Sequence, residues 1–358
     1  MTASALPSSD IRPVVDTMIA RGLESRASDI HVEPLVNSYE VRFRIDGLLQ
    51  AIDSLSADAG IAMVNRLMVM ARLLTYRRDI PQEGRIALPR PKSIDLRLSV
   101  MPTLHGLRAV IRMPAELQGP HRLLDLNLSA ESHQFLMQFC AADSGMLVII
   151  GPAGSGKTTT IYALLGHLAA SRHGESIISL EDPIERCIGG VTQIEVNPFG
   201  ELNYATAMKS ILRQDPQILA VGEIRDGATA SLAVQAALTG HRLLCTMHAG
   251  SPMGAVRRLL EMGIQRYQLT NSIFGFFNQR LVRRKSSDGY RGRIPVSNFL
   301  RMDAKVSCAI LAGTATDAET EAIAPQTSEG TLWQAGVELV RKGITDKAEL
   351  ERVLGRPE

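Results

Sequence analysis

Between Ile11 and Ala27 apolar and polar residues alternate with the period of an amphipathic helix. The period then drops to two. DIHVEP and YEVRFRIDGLLQAIDSL read as strands of a hairpin-like sheet. A helix is expected over 59–74, and RIALP, IDLRLSVMP and GLRAVIRM read as further strands, completing a small α/β domain that ends near Arg112. Pro114, Gly119 and Pro120 punctuate the next stretch, so 114–128 is read as a linker after a first domain of 1–113.

Beyond it the pattern changes character. MLVIIG, SIISLE, VTQIEV, QILAVGE and RLLCTMH are short and almost wholly apolar, with helices between them, one opening at Lys157 and another over DGATASLAVQAALTG. Strands without a polar side are strands buried on both faces, which predicts a parallel sheet covered by helices over 129–314. Residues 315–330 hold few apolar positions and are expected to be a loop. TLWQAGVELVRKG and TDKAELERVL have helical spacing and close the fold within 315–358. LVRRK, 281–285, is read as a solvated helix end with favourable cations rather than a membrane or partner contact.

Composition changes this picture little. A chain of 358 residues, 45% apolar and 21% charged with a formal charge of +2, is an ordinary globular protein of about two domains. Aromatic residues make up 4%, thin for a surface that stacks bases, so no direct nucleic-acid partner is expected. Cys140, Cys187, Cys245 and Cys308 form no CxxC pair and are expected to be buried reduced thiols, which fits a cytoplasmic protein. No run approaches the ~20 apolar residues of a membrane span, so membrane association is expected to be peripheral.

The chemistry concentrates at the ends of the apolar strands. GPAGSGKTTT, 151–160, has the spacing of a phosphate-binding loop between a strand and a helix, the context that such a motif requires. Gly151, Pro152, Ala153, Gly154, Ser155, Gly156, Lys157, Thr158 and Thr159 are the candidate nucleotide-binding residues, with Lys157 toward the β/γ-phosphates and Thr158 toward Mg²⁺. In ILAVGEIRD, Gly222 occupies the position where nucleotide hydrolases usually hold the metal with Asp. Glu181 of ISLEDPIE is therefore expected to order a metal-bound water, leaving Glu223 to polarise the attacking water. Asp182 and Glu185 are read equally well as solvated turn residues. His248 falls where a residue could sense the γ-phosphate, whereas His241 reads as a packed or surface residue, and the pair lacks the spacing of metal ligands.

Together these segments resemble the secretion ATPases of type II secretion and type IV pilus assembly. GPAGSGKTTT is similar to the family's Walker A box, ISLEDPIE to its Asp box, ILRQDPQILAVGEIRD to its Walker B signature with Gly in the Asp position, and TGHRLLCTMH to its His box. Upstream, ASDIHVEP, YEVRFRIDGLL, PQEGRI and DLRLSVMPTLHGLRAVIRM resemble the family's second N-terminal domain. The resemblance implies a RecA-like P-loop core with a smaller PAS-like N-terminal α/β domain, ATP and Mg²⁺ as cofactors, and a hexamer acting through an inner-membrane platform protein. It also implies that Arg97 and Arg112, with Arg85 a further candidate, are lent to the nucleotide by the N-terminal domain. Longer members carry a tetracysteine zinc module before GYxGR; LVRRKSSDGYRGR has no cysteine, so zinc is not expected. The matching motifs begin with the second N-terminal domain, so docking through a preceding domain is not carried over. Two competing functions remain, a DNA-uptake or conjugation motor that grips DNA and a nucleotide-binding regulator of low turnover.

Overall fold

In the computed structural model the chain divides into two units, Met1–Gly119 and Pro120–Glu358. The residues described are 10–88, 94–114, 122–171, 174–197, 200–313 and 331–356. The expected loop over 315–330 lies outside them, as do Gly119 and Pro120 of the expected linker.

The first unit runs α1 (Ile11–Glu24), β1 (Asp29–Pro34), β2 (Ser38–Ile45), β3 (Leu48–Ser56), α2 (Ala57–Met70), β4 (Gln82–Leu88), β5 (Ile94–Thr103) and β6 (Gly106–Arg112). Asp10 and Ser56 start the two helices by accepting hydrogen bonds from backbone N–H groups of the first turn. The strands form one antiparallel sheet in the order β3-β2-β1-β6-β5-β4. Its alternation sends Ile30, Val32, Val41, Phe43, Leu96, Leu98, Ala109 and Ile111 into a core with Val15 and Ile19 of α1 and Met63, Leu67 and Met68 of α2. Charged residues occupy the opposite face.

The second unit begins earlier than the sequence suggests. Residues 123–126, placed in the linker, form a 3-10 helix whose Leu123 and Leu126 are buried with α3 (Ala130–Ala141), because two apolar side chains in that short turn find a core to enter. Then follow β7 (Gly145–Ile150), α4 (Lys157–Ser171), β8 (Ile177–Glu181), β9 (Thr192–Glu195), α5 (Tyr204–Ile211), β10 (Ile218–Val221), α6 (Gly227–Leu238), β11 (Arg242–Met247), α7 (Pro252–Glu261), α8 (Arg266–Ser272), β12 (Ile273–Ser286), β13 (Gly289–Arg301) and α9 (Ala304–Ala312). The seven-stranded sheet has the order β13-β12-β7-β11-β10-β8-β9 and is parallel except for the β12–β13 hairpin. Alternate residues of the central strands serve two cores. Leu147, Ile149 and Leu244 pack with α3 and α4, while Met146, Val148, Leu243 and Cys245 pack with α5 to α9 on the other face. The carboxyl ends of β7, β11, β10 and β8 therefore share one edge, the position in which parallel sheets bind ligands.

The long β12–β13 hairpin has no clear counterpart in the periodicity, and it corrects the reading of LVRRK, which is strand and not helix end. Val282, Ile294 and Val296 pack with Leu350 of α11 (Lys347–Leu354) beneath α10 (Leu332–Arg341). Arg283 donates from Nη2 to Glu349 Oε2 at 2.7 Å and stacks 3.9 Å from the Tyr290 ring centroid, while Arg352 reaches Glu349 Oε1 at 2.7 Å. Burial pushes the Glu349 carboxyl up, but the hydrogen bonds from Arg352 and Arg283 outweigh it and hold it down at about 2. Cys140 and Cys245 are buried as expected, whereas Cys187 and Cys308 are exposed and depart from expectation. Among the described residues no helix is long and apolar enough to cross a membrane.

Candidate active site

Between β7 and α4 the chain turns on Gly151, Gly154 and Gly156, with φ of 150°, 74° and 90°. A Cβ on Gly151 would lie 2.5 Å from Ser155 Oγ and 2.6 Å from the Gln279 carbonyl oxygen, so only glycine lets the loop close against β12. Pro152, Ala153 and Gly154 are exposed, Ser155 and Lys157 are buried, and Thr158 and Thr159 are half-buried in the first turn of α4. Lys157 Nζ donates to the carbonyl oxygens of Gly151 at 2.9 Å and Pro152 at 3.0 Å. Ser155 Oγ is buried without a hydrogen-bond partner. An orphaned hydroxyl, an ammonium resting on the loop's own carbonyls and a helix N-terminus all fit a phosphate chain, which would satisfy each of them. Burial pushes Lys157 below its usual range and the neighbouring Arg280 charge adds to this, while Glu223 acts against both.

Gln279, which sequence reasoning passed over, fastens the loop. Its Nε2 donates to the Ser155 carbonyl at 2.6 Å and its Oε1 accepts from Thr160 Oγ1 at 2.8 Å, with the side chain fully buried. The signal was an amide inside the apolar run FGFFNQRLV, since a buried amide must find partners at both ends.

At the end of β10, the Gly222 N–H donates to the Leu180 carbonyl at 2.8 Å and its own carbonyl accepts from Thr246 Oγ1 at 2.5 Å. Space, rather than a left-handed backbone, requires glycine here. A Cβ at 222 would stand 2.8 Å from the Tyr204 hydroxyl and 3.1 Å from the Leu180 carbonyl oxygen. Glu223 follows at once. Its Oε2 accepts from Arg225 Nε at 2.6 Å, and its Oε1 lies 3.1 Å from His248 Nε2. Glu223 and His248 thus meet across neighbouring strands, and Arg258 fixes the histidine's backbone by donating to its carbonyl at 2.8 Å.

Glu181, at the end of β8, is buried and already engaged. It accepts from Ser179 Oγ at 2.6 Å, from Gln193 Nε2 at 2.9 Å and from the Tyr162 hydroxyl. An ionised carboxylate has about four acceptor sites, which leaves one for a water. Burial, and then the Glu181 carboxylate, push the Tyr162 hydroxyl far up, so it stays a donor. Asp182 and Glu185 are exposed. His241 turns away from this edge, its Nδ1 3.0 Å from the Ala236 carbonyl at the end of α6.

Thr158 and Glu181, the two residues expected toward a metal, offer oxygen donors only. No group of three or more His, Cys, Asp or Glu is gathered to hold a metal ion among the described residues. Such a set suits a hard cation that keeps waters and phosphate oxygens as most of its ligands, so the residues fit Mg²⁺ arriving with a nucleotide.

In the first unit the antiparallel register aligns Arg85, Arg97, Arg112, Asp29 and Arg44 in one row across five strands. Asp29 Oδ1 accepts from Arg112 Nε at 3.2 Å, and Asp29 Oδ2 lies 3.3 Å from Arg44 Nε. Four guanidinium groups against one carboxylate leave the row strongly positive, and Arg85, Arg97 and Arg112 are all exposed. Arg97 and Arg112 are direct cross-strand neighbours, a pairing of like charges that an anion would relieve.

Comparison with known proteins gives this geometry a family. The model of the family described as Type II/IV secretion system protein matches residues 5–352. The chain belongs to the type II/IV secretion system protein family. The "Type II secretion system ATPase E" of Vibrio cholerae is 34% identical over 97% of this chain and 76% of its own. The "Type II secretion system protein E" of Xanthomonas campestris is 35% identical over 95% of this chain and 66% of its own. Among solved structures, the Legionella pneumophila ATPase DotB aligns with a TM-score of 0.76 at 20% identity, covering 98% of both chains. The pilus retraction motor PilT with bound ADP aligns at 0.69 and 22%, covering 96% of this chain and 97% of its own. These neighbours establish the fold, a RecA-like P-loop core with a smaller N-terminal α/β unit. As a member of the type II/IV secretion family with this phosphate loop, the chain is an ATPase.

Proposed function

We propose that the chain binds ATP with Mg²⁺ at residues 151–159 and hydrolyses it as a subunit of a hexamer, powering type IV pilus assembly or type II secretion. It would work from the cytoplasm, peripheral to the inner membrane, through a membrane-embedded platform protein. The observation that carries the reading is the convergence of Lys157, the orphaned Ser155 hydroxyl and the Glu223–His248 pair on one sheet edge.

Each residue has a distinct task. Backbone N–H groups of the loop and Lys157 hold the phosphates. Thr158 would hold the metal directly and Glu181 would hold it through a water, and a bound ion would supply positive charge that offsets the charge of the phosphates. Glu223 accepts a proton from the attacking water, and His248, whose Nε2 lies 3.1 Å from the same carboxylate, holds it in place and would sense the γ-phosphate. Arg225 competes for Glu223 and must let go as the water takes its position. Arg97 and Arg112, from this subunit or its neighbour, supply positive charge to the phosphoryl oxygens. Relatives named for type II secretion and a structural neighbour titled a pilus motor support the assignment of the work done.

Glu223→Gln tests the site. Turnover is expected to fall by about 10²–10⁴-fold while nucleotide affinity holds. Turnover at the wild-type level in that variant removes Glu223 from the base role and the mechanism with it.

A further inference from the structure

Gly222 leaves the carboxylate cleft one side chain short, and Tyr204 of α5 reaches into the gap. Its hydroxyl lies 2.8 Å from the point where a Cβ on residue 222 would begin, beside the Leu180 carbonyl and the Glu181 backbone. A phenylalanine would fill the same apolar volume, since the Tyr204 ring packs in the core with Met208 and Val221. The hydroxyl is therefore not explained by packing, and a largely buried hydroxyl is costly unless it is hydrogen-bonded. Four charged groups act on it, namely Asp182, Arg225, Glu223 and Glu181. Burial, and then the Asp182 charge, push the phenol far up, so it stays neutral and can both donate and accept.

We propose that Tyr204 is a positioning residue for ATP hydrolysis, its hydroxyl replacing at Gly222 the absent carboxylate by accepting a hydrogen bond from a metal-shell water and donating its own proton toward Asp182. The proposal rests on the ATPase reading of the site and deepens it. A neutral hydroxyl holds that water without adding a further negative charge beside Glu181 and Glu223. The metal-ordering task thus passes from the end of β10 to a side chain of α5, 18 positions earlier in the chain.

The test is Tyr204→Phe, with Mn²⁺ binding followed by electron paramagnetic resonance in the presence of a non-hydrolysable ATP analogue. Mn²⁺ affinity is expected to weaken about three- to tenfold, the loss of one hydrogen bond, and kcat to fall by a similar factor at unchanged KM for ATP. Affinity for a fluorescent nucleotide in EDTA is expected to match the wild type. Unchanged Mn²⁺ affinity and kcat in the folded variant overturn the proposal and leave the ATPase standing; a wild type that takes up no nucleotide overturns both. The steric relation is checked without ligand. Gly222→Ala should unfold at lower urea than the wild type, and adding Tyr204→Phe should recover part of the loss. Equal stability of Gly222→Ala and wild type contradicts the contact on which the proposal stands.

Discussion

The two sheets use the same residue types to opposite ends. In the antiparallel sheet of the first unit one face is apolar and the other carries Arg85, Arg97, Arg112, Asp29 and Arg44 in a row, so charge lies across the strands on an open face. In the parallel sheet of the second unit the central strands are buried on both faces, and the candidate site residues Glu181, Glu223 and His248 lie at or just beyond strand ends, with Lys157 opening the helix after β7. A sheet with an open face can present an array, whereas a sheet covered twice can present only an edge. The array spreads positive charge over an exposed face, and the edge fixes a few atoms.

Ion pairs make the contrast measurable. Glu349, fully buried between Arg283 and Arg352, ties the β12–β13 hairpin to α11, whereas Asp29 sits between Arg112, 75% exposed, and Arg44, 36% exposed. Glu349→Ala leaves two guanidinium groups without their carboxylate and is expected to cost about 3–5 kcal/mol in urea unfolding. A cost near zero would make the hairpin's attachment apolar. Arg97→Ala is expected to lower turnover by about 10- to 100-fold with little change in stability, since the side chain is exposed; a stability loss with intact turnover would turn the array into a structural device.

A pH titration sharpens the same point. The Glu349 carboxyl ionises at about 2 in the folded chain against 4.5 as a free side chain. A depressed value contributes stability that is full above 4.5 and disappears as the pH falls through about 2. The wild type should therefore lose urea resistance across that window more steeply than Glu349→Gln, and parallel curves would contradict the assignment. The smallest effect is expected at Asp29→Asn, about 1 kcal/mol or less in stability because its partners are solvated. Its more positive row should bind anions more tightly.

Much of this was legible in the chain itself. The phosphate loop announces itself because spacing, glycines and flanking elements are all local, and the doubly apolar strands betray a buried sheet. What escaped depends on distance in sequence. Gln279 meets Ser155 across 124 residues, and the row of arginines depends on a register that period-two alternation does not fix. Gly222 could be seen as an anomaly, but the Tyr204 hydroxyl and the Leu180 carbonyl that would crowd a side chain there lie on other elements. LVRRK misled because its cations suggested a helix end, while the buried Glu349 that accounts for Arg283 sits 66 residues away.

The most direct test of the account is steady-state ATPase activity against protein concentration with Mg²⁺, comparing wild type with Arg112→Ala and following mass by light scattering. Specific activity that climbs as a hexamer assembles and collapses in the variant is the predicted result. Activity flat with concentration and indifferent to Arg112 would contradict it, because the edge of the second sheet would then work without the array of the first.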